Sequence, residues 1–250
     1  LSFETDGPDI VDSDGTTAGA FTGMAGVQTD DVPALASGAA NTGTADFASG
    51  GTATFDAYDF LFHSGGHAGD STLEFLHKTP DGQGHGALFW SSNGGIFHVW
   101  WTGPSGVEGR RIMGDFVKPT GGPKTNLFNA VAGGTEQTTD WTQIALVRTQ
   151  LDTEMYRWDW FNNGQLNPAQ TVISEGAMPT STGENWTING RGGFEGAWKG
   201  LMDEVRMVNS ALTCAEMNLL EGTPCSAPGD LILNFEPTDG GAGPTPVFDQ

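Results

Sequence analysis

Short runs in which apolar and polar residues alternate dominate the chain, and sustained helical periods are scarce. From Thr52 the run TATFDAYDFLF sets Phe55, Ala57 and Asp59 against Asp56, Tyr58 and Phe60. STLEFLHKT, GALFWSS and GIFHVWW follow at strand spacing between glycine turns, and together these runs predict a meander of antiparallel strands. WTQIALVRTQ (141–150) is apolar in both phases, with Ile144 and Leu146 in one and Ala145 and Val147 in the other. That pattern predicts a central strand buried on both faces. EMYRWDWFNNGQL then sets Tyr156, Trp158 and Trp160 on one face, and its NNG at 162–164 supplies the positive-φ residues of a hairpin turn. GLMDEVRMVNSALTCAEMNLLEGTPC (200–225) reads as an apolar strand with two adjacent acids, Asp203 and Glu204, a turn at Asn209 and Ser210, and one short helix near 213–221. Residues 5–45 hold no steady period and read as long loops around a few short strands.

Composition supports the same class. With 250 residues, 38 glycines and 13 prolines, the chain suits short strands joined by tight turns in one large β domain. A net charge of -21, with lysine only at Lys78, Lys118, Lys124 and Lys199, repels phosphate backbones and anionic lipid. Nucleic acid is thereby excluded as a partner, and no run reaches the length of a membrane-spanning helix. The acid excess suits either divalent cations or a saline habitat. Cys214 and Cys225, the two cysteines, bracket the short helix. A disulfide between them would stabilise the fold by roughly 2 to 3 kcal/mol and would mark an oxidising compartment, with two free thiols as the alternative. The chain starts at Leu1 rather than methionine, as a mature secreted or cell-surface product would after loss of a signal peptide.

The ends echo each other: LSFETDG at 1–7 returns as LNFEPTDG at 233–240 with one proline inserted. A domain over 1–225 and an extended tail over 226–250 follow, the tail being either a strand, LILNF, for a sheet edge or the start of a second repeat. Donated to a neighbour, such a strand would join copies of the protein; kept in cis, it would close its own sheet.

DWTQIALVRT, YRWDWFNNGQL and WTINGRGGFEGAWKGLMDEVRMVNSALTCAEMNLL, in that order and spacing, resemble the bacterial laminin G-like domains of the concanavalin A-like lectin/glucanase superfamily. The match rests on Trp141, Asn163 with Gly164, Phe194, Gly200, Met202 to Met207, Ala211 to Thr213, and Glu216 with Met217. It covers 141–220 well and the first 140 residues only through TADFASGGTATFDAYDFLF. The resemblance implies an all-β jelly-roll sandwich of two curved antiparallel sheets, with ligand-binding edges formed by loops. It also implies a calcium position between an N-terminal acid and an aspartate of the last strand, for which Glu4 and Asp203 are the matching residues. Hydrogen bonding of Asp203 to a turn, with Arg206 as salt-bridge partner for a nearby acid, is the competing structural role.

Catalysis finds little support in the sequence. Adjacent strand residues face opposite ways, so Asp203 and Glu204 are no glycosidase dyad. The Glu-x-Asp-x-x-Glu strand of related glucanases has its nearest counterpart in ETDGPD at 4–9, whose last residue is wrong. Alginate-lyase-type relatives need arginine, glutamine, histidine and tyrosine motifs, and here tyrosine occurs only at Tyr58 and Tyr156. DIVDSDG, with Asp9, Asp12 and Asp14, lacks the distal glutamate of an EF-hand and reads as an acidic turn. His63 and His67 are split by Gly65-Gly66, and with His77, His85 and His98 read as scattered strand and loop residues. Trp100, Trp158 and Trp160 are the candidate stacking platform for sugar rings, with core packing as their alternative. The expected protein is therefore an extracellular, non-catalytic adhesion or structural module, one that self-assembles if its tail pairs with a neighbour rather than in cis. A carbohydrate-binding lectin-like module is the alternative, and a polysaccharide-degrading enzyme is the more remote one.

Overall fold

A computed structural model of the chain describes residues 9–11, 17–55, 69–79, 86–91, 97–102, 111–116, 125–129, 140–152, 155–166, 172–175, 186–190, 198–208, 210–217 and 220–225. In chain order the strands are β1 (Asp9–Val11), β2 (Thr17–Thr22), β3 (Gly26–Gln28), β4 (Thr44–Asp46), β5 (Thr52–Phe55), β6 (Ser71–Lys78), β7 (Gly86–Ser91) and β8 (Phe97–Thr102). They continue as β9 (Arg111–Phe116), β10 (Thr125–Asn129), β11 (Thr142–Gln150), β12 (Met155–Asn162), β13 (Gln165–Leu166), β14 (Val172–Glu175), β15 (Trp186–Ile188) and β16 (Leu201–Val208).

One sheet runs β1-β2-β5-β15-β7-β8-β9-β10, and the other runs β13-β12-β11-β6-β16-β4-β3 with β14 also on β12. All pairings are antiparallel, and the two sheets make the jelly-roll sandwich that the resemblance implied. The predicted meander is corrected: β5 and β6, consecutive in the chain, lie in different sheets, and β15 enters between β5 and β7. β6 is buried over seven of its eight positions, Leu73 and Phe75 in one phase and Thr72, Glu74 and Leu76 in the other, so it is covered on both faces and takes an interior place in the second sheet.

Between the sheets Phe21, Phe55, Phe89, Trp186 and Ile188 meet Leu73, Phe75, Ile144, Leu146, Trp158, Trp160 and Met202. The odd-phase residues Ala145 and Val147 of β11 pack outward, under Phe161, Cys214 and Met217. The chain after β16 is therefore a strap over the outer face of the second sheet, and this strap is why β11 is apolar in both phases. Cys214 and Cys225 form a disulfide within it. The short helix expected near 213–221 is corrected to one 3-10 turn, Cys214–Glu216, with the Glu216 carboxylate accepting from Thr213 N and Oγ1. The backbone is already extended at Met217. Leu220 makes an antiparallel bridge with Leu35.

Two glycines of the family-like pattern have clear reasons. Gly164 (φ 67) follows Asn163 (φ 46) in the predicted β12–β13 hairpin, where two left-handed residues match the strand twist. At Gly200 a Cβ would stand 2.4 Å from the Trp198 ring and 2.5 Å from the Lys78 carbonyl, so only glycine lets β16 start there. In β16 the register against β6 then shifts between Asp203 and Arg206, with Glu204 at φ 48. This bulge places both Met202 and Val205 in the core, three residues apart, which plain alternation forbids.

Candidate functional site

The last strand holds the first predicted site. Asp203 is 1% exposed, and its Oδ1 accepts from Glu204 N at 2.8 Å inside the bulge. Its Oδ2 accepts from Asn41 Nδ2 at 2.8 Å, and the same Nδ2 donates to the Pro33 carbonyl at 3.1 Å. Asn41 Oδ1 is buried with no hydrogen-bond partner. Glu4 lies outside the described residues. Among the described residues no three His, Cys, Asp or Glu side chains gather in a way that could hold a metal ion. The cluster does collect hard oxygens, however: the Asp203 carboxylate, the Pro33 carbonyl and the unused Asn41 Oδ1 are the donor types calcium takes. As placed, Asn41 Nδ2 donates to both of the other oxygens, so its amide nitrogen stands where an ion shared by all three would have to sit, and the set does not fit the ion. Asn41 is the partner of Asp203 that the sequence reading missed. Its signal, a lone Asn in a glycine- and alanine-rich loop, is invisible without the fold.

Arg206 does not pair with its strand neighbour. Its Nε and Nη2 donate to Oε2 of Glu74 on β6, which is fully buried, and Gln143 Nε2 donates to Oε1 at 3.0 Å. Arg206 Nη2 also reaches the Glu216 carbonyl at 2.8 Å. This group therefore fastens the strap to the sheet beneath it. Nearby, Arg148 is 1% exposed and lies 5.5 Å from the ring centroids of both Tyr156 and Trp158. It donates to the Gly69 carbonyl, and burial lowers its pKa to about 10, which leaves it charged at neutral pH.

The tryptophan platform is corrected in two of its three members. Trp158 and Trp160 are 1% and 2% exposed because they pair with Arg148 and Leu146 in the inward phase of β12. Their rings fill the core and cannot stack on a ligand. Trp100 lies in β8 of the other sheet, paired with Ala87 and Met113.

That sheet carries an arrangement no single strand discloses. Asp9, Ala20, Thr54, Thr187, Trp90, His98, Asp115 and Asn126 are successive register partners, forming one row across all eight strands. Directly paired positions share a face of an antiparallel sheet. Thr54 and Thr187 are partly exposed, whereas their chain neighbours Ala53, Phe55, Trp186 and Ile188 are buried. Thr54 and Thr187 therefore belong to the face turned away from the core. Asp9, read as part of an acidic turn, is the start of β1, while Asp12 and Asp14 lie outside the described residues. Asp9 and Asp115, the carboxylates of this row, are six strand intervals apart, about 29 Å. A glycosidase pair spans roughly 5 to 9.5 Å.

Of the histidines, His77 is buried with Nδ1 at 3.1 Å from Thr79 Oγ1, and His98 belongs to the row. His63, His67 and His85, the N-terminal echo sequence and the tail over 226–250 lie outside the described residues. No helix among the described residues is long and apolar enough to cross a membrane.

A family model described as the concanavalin A-like lectin/glucanases superfamily, of laminin G type, matches residues 49–218. Comparison with curated proteins finds no significant match. Among solved structures, the chain is similar to domain 4 of AbnA, a GH43 extracellular arabinanase from Geobacillus stearothermophilus, in complex with arabinotriose. There the TM-score is 0.54 at 17% identity, over 86% of this chain and 93% of that one. It is also similar to the receptor-binding domain of the botulinum neurotoxin C/D mosaic serotype (TM-score 0.56, 12% identity). The serotype D binding domain is a third (TM-score 0.52, 12% identity). The matches to both toxin domains cover 86% of this chain and 48% of theirs. At these identities the structural likeness carries the fold.

Proposed function

This chain belongs to the laminin G-like family of the concanavalin A-like lectin/glucanases superfamily, and from that premise we propose that it is a non-catalytic carbohydrate-binding module working outside the cytoplasm. The observation that carries this reading is the match of residues 49–218 to a superfamily of lectins and glucanases. Thr187, Trp90, His98, Asp115 and Asn126 are register partners on five adjacent strands of the first sheet, and aromatic, hydroxyl, imidazole, carboxylate and amide residue types are those a sugar site uses. The wide separation of Asp9 and Asp115 favours binding over glycoside hydrolysis at this row. The arabinotriose complex of the arabinanase domain lends the same reading support by analogy of fold. An extracellular setting is favoured by the Cys214–Cys225 disulfide. The hydrogen bonds from Asn41 Nδ2 to Asp203 and to the Pro33 carbonyl themselves tie the 33–41 segment to β16.

The test is a glycan-array screen of the whole chain beside Trp90→Ala and Trp158→Phe. Binding that Trp90→Ala abolishes and Trp158→Phe spares supports the reading. Binding that survives Trp90→Ala, Asp115→Ala and Asn126→Ala moves the site elsewhere, and no binding to any glycan removes the reading.

A further inference from the structure

Independently of the glycan reading, we infer that the cavity between the β3–β4 loop and the end of the strap is a separate binding site for an alkylammonium group. The ligand is a protonated amine on a compact apolar body, either a free amine or a lysine side chain.

The cavity measures about 340 Å³, within the range of small-molecule sites. Val32, Pro33, Leu35 and Ala39 give it apolar walls, and Asn41 and Glu221 are its polar side chains. Those walls are fixed without a ligand. Gln28 Oε1 accepts from Asp30 N and Asp31 N, which ties down the start of the loop. Further along, Leu35 is buried and bridges to Leu220, and its carbonyl accepts from Gly38 N at 3.0 Å. Glu221 N donates to the Ala34 carbonyl at 2.8 Å, and the Cys214–Cys225 disulfide closes the segment that carries Glu221. A ligand therefore meets a preformed shape and loses little affinity to ordering the protein.

Charge selects the ligand. The two segments that bound the cavity, 29–41 and 210–225, hold Asp30, Asp31, Glu216 and Glu221 and no lysine, arginine or histidine. Among the described residues, only Asp31 of these four is paired with a cation, Lys78 at 2.6 Å. Asn41 adds to the same sign. Both hydrogens of its Nδ2 are held, by Asp203 Oδ2 at 2.8 Å and the Pro33 carbonyl at 3.1 Å, so the amide plane is fixed. Its Oδ1 is buried with no partner, and no donor offsets the negative potential of that oxygen beside the cavity. The bond to the Asp203 carboxylate polarises the amide further. An ammonium carries donors only and gains from each of these groups. A hydroxyl on the same body gains little from the carboxylates, and an anion is opposed by them and by a net charge of -21.

The experiment is an NMR titration of the whole chain, isotope-labelled, at physiological salt. Its probes share one apolar body and differ in the head group: cyclohexylammonium, cyclohexanol and cyclohexanecarboxylate. N-acetyl-lysine methylamide is added as the peptide source of the same cation, and the tighter of the two cations names the source. The expected result is shifts confined to 32–41 and 220–223, with an ammonium at least tenfold tighter than cyclohexanol and no binding of the carboxylate. Glu221→Gln should weaken the ammonium about threefold and leave cyclohexanol unchanged. Ala39→Leu, which fills the cavity from an exposed position, should weaken both at least tenfold. Neither variant touches the hydrogen bonds of the walls, so both should keep the wild-type melting temperature. Four outcomes overturn the inference: cyclohexanol binding as tightly, shifts scattered over the acidic surface, indifference to Ala39→Leu, or no shift with any probe. None of them bears on glycan binding, whose failure would in turn leave this site standing.

Discussion

Replacing Arg206 by alanine tests whether the strap is held by one buried carboxylate. Glu74 is fully buried in β6, and its Oε2 accepts from both Nε and Nη2 of Arg206, whose side chain is 30% exposed. Deleting one partner of a buried ion pair typically costs 3–5 kcal/mol, because the remaining charge keeps its desolvation penalty and loses its compensation. Water reaches the partly exposed Arg206 side, so the lower end applies, about 3 kcal/mol. For a domain of this size that corresponds to a melting point lower by about 6–12 °C. The assay is urea unfolding followed by tryptophan fluorescence, with thermal scans beside it. Glu74→Gln/Arg206→Met serves as the second arm: with the charge removed from both partners, most of the loss should return, since the pair itself contributes little net stability. A loss below about 1 kcal/mol for Arg206→Ala would put the pair in the range of surface ion pairs and refute the reasoning. So would a double variant no more stable than the single one.

Opening the disulfide with Cys214→Ser/Cys225→Ser should lower stability by about 3 kcal/mol, from loop closure over 11 residues in the chain-entropy model; denaturant midpoints read this, and no change would mean that packing alone holds the strap. Trp158→Ala should cost about 3–5 kcal/mol in the same assay, as expected for a core aromatic, and leave glycan affinity per folded molecule unchanged. Burial raises the pKa of Asp31, but hydrogen bonds from Lys78 and Trp141 outweigh it, and the Thr213 backbone and hydroxyl lower that of Glu216. Both folded pKa values are depressed, so their stabilisation is present above the ordinary carboxylate range and lost as pH falls through the folded values. Asp31→Asn should accordingly flatten the acid limb of the stability–pH curve, and an unchanged limb would assign it to other carboxylates. Asn41→Leu should lower the melting temperature equally in calcium and in chelator, since it removes the hydrogen bonds to Asp203 and Pro33; a loss seen only in calcium would place an ion at this site.

Alternation, turn chemistry and composition determined the class. Glycine-bounded runs of period two gave an all-β chain, the Asn163-Gly164 pair gave its hairpin, and the double-phase apolarity of 141–150 gave an interior strand. These are local signals, set by φ/ψ preference and by which faces must leave water, so they survive in one dimension. The order of the strands did not: β15, far along the chain, separates β5 from β7, because pairing partners are chosen by three-dimensional packing. Aromatic content could not tell Trp158 and Trp160, which are core, from positions on a ligand face, since that depends on which sheet covers the other. The bulge in β16 broke the alternation that would have separated Met202 from Val205, and it turned Arg206 toward Glu74, 132 residues away in sequence. The row of register partners across the first sheet exists only through seven successive pairings between segments spread from Asp9 to Thr187. A sequence states which residues a strand contains; register, a property of two strands at once, decides which of them meet.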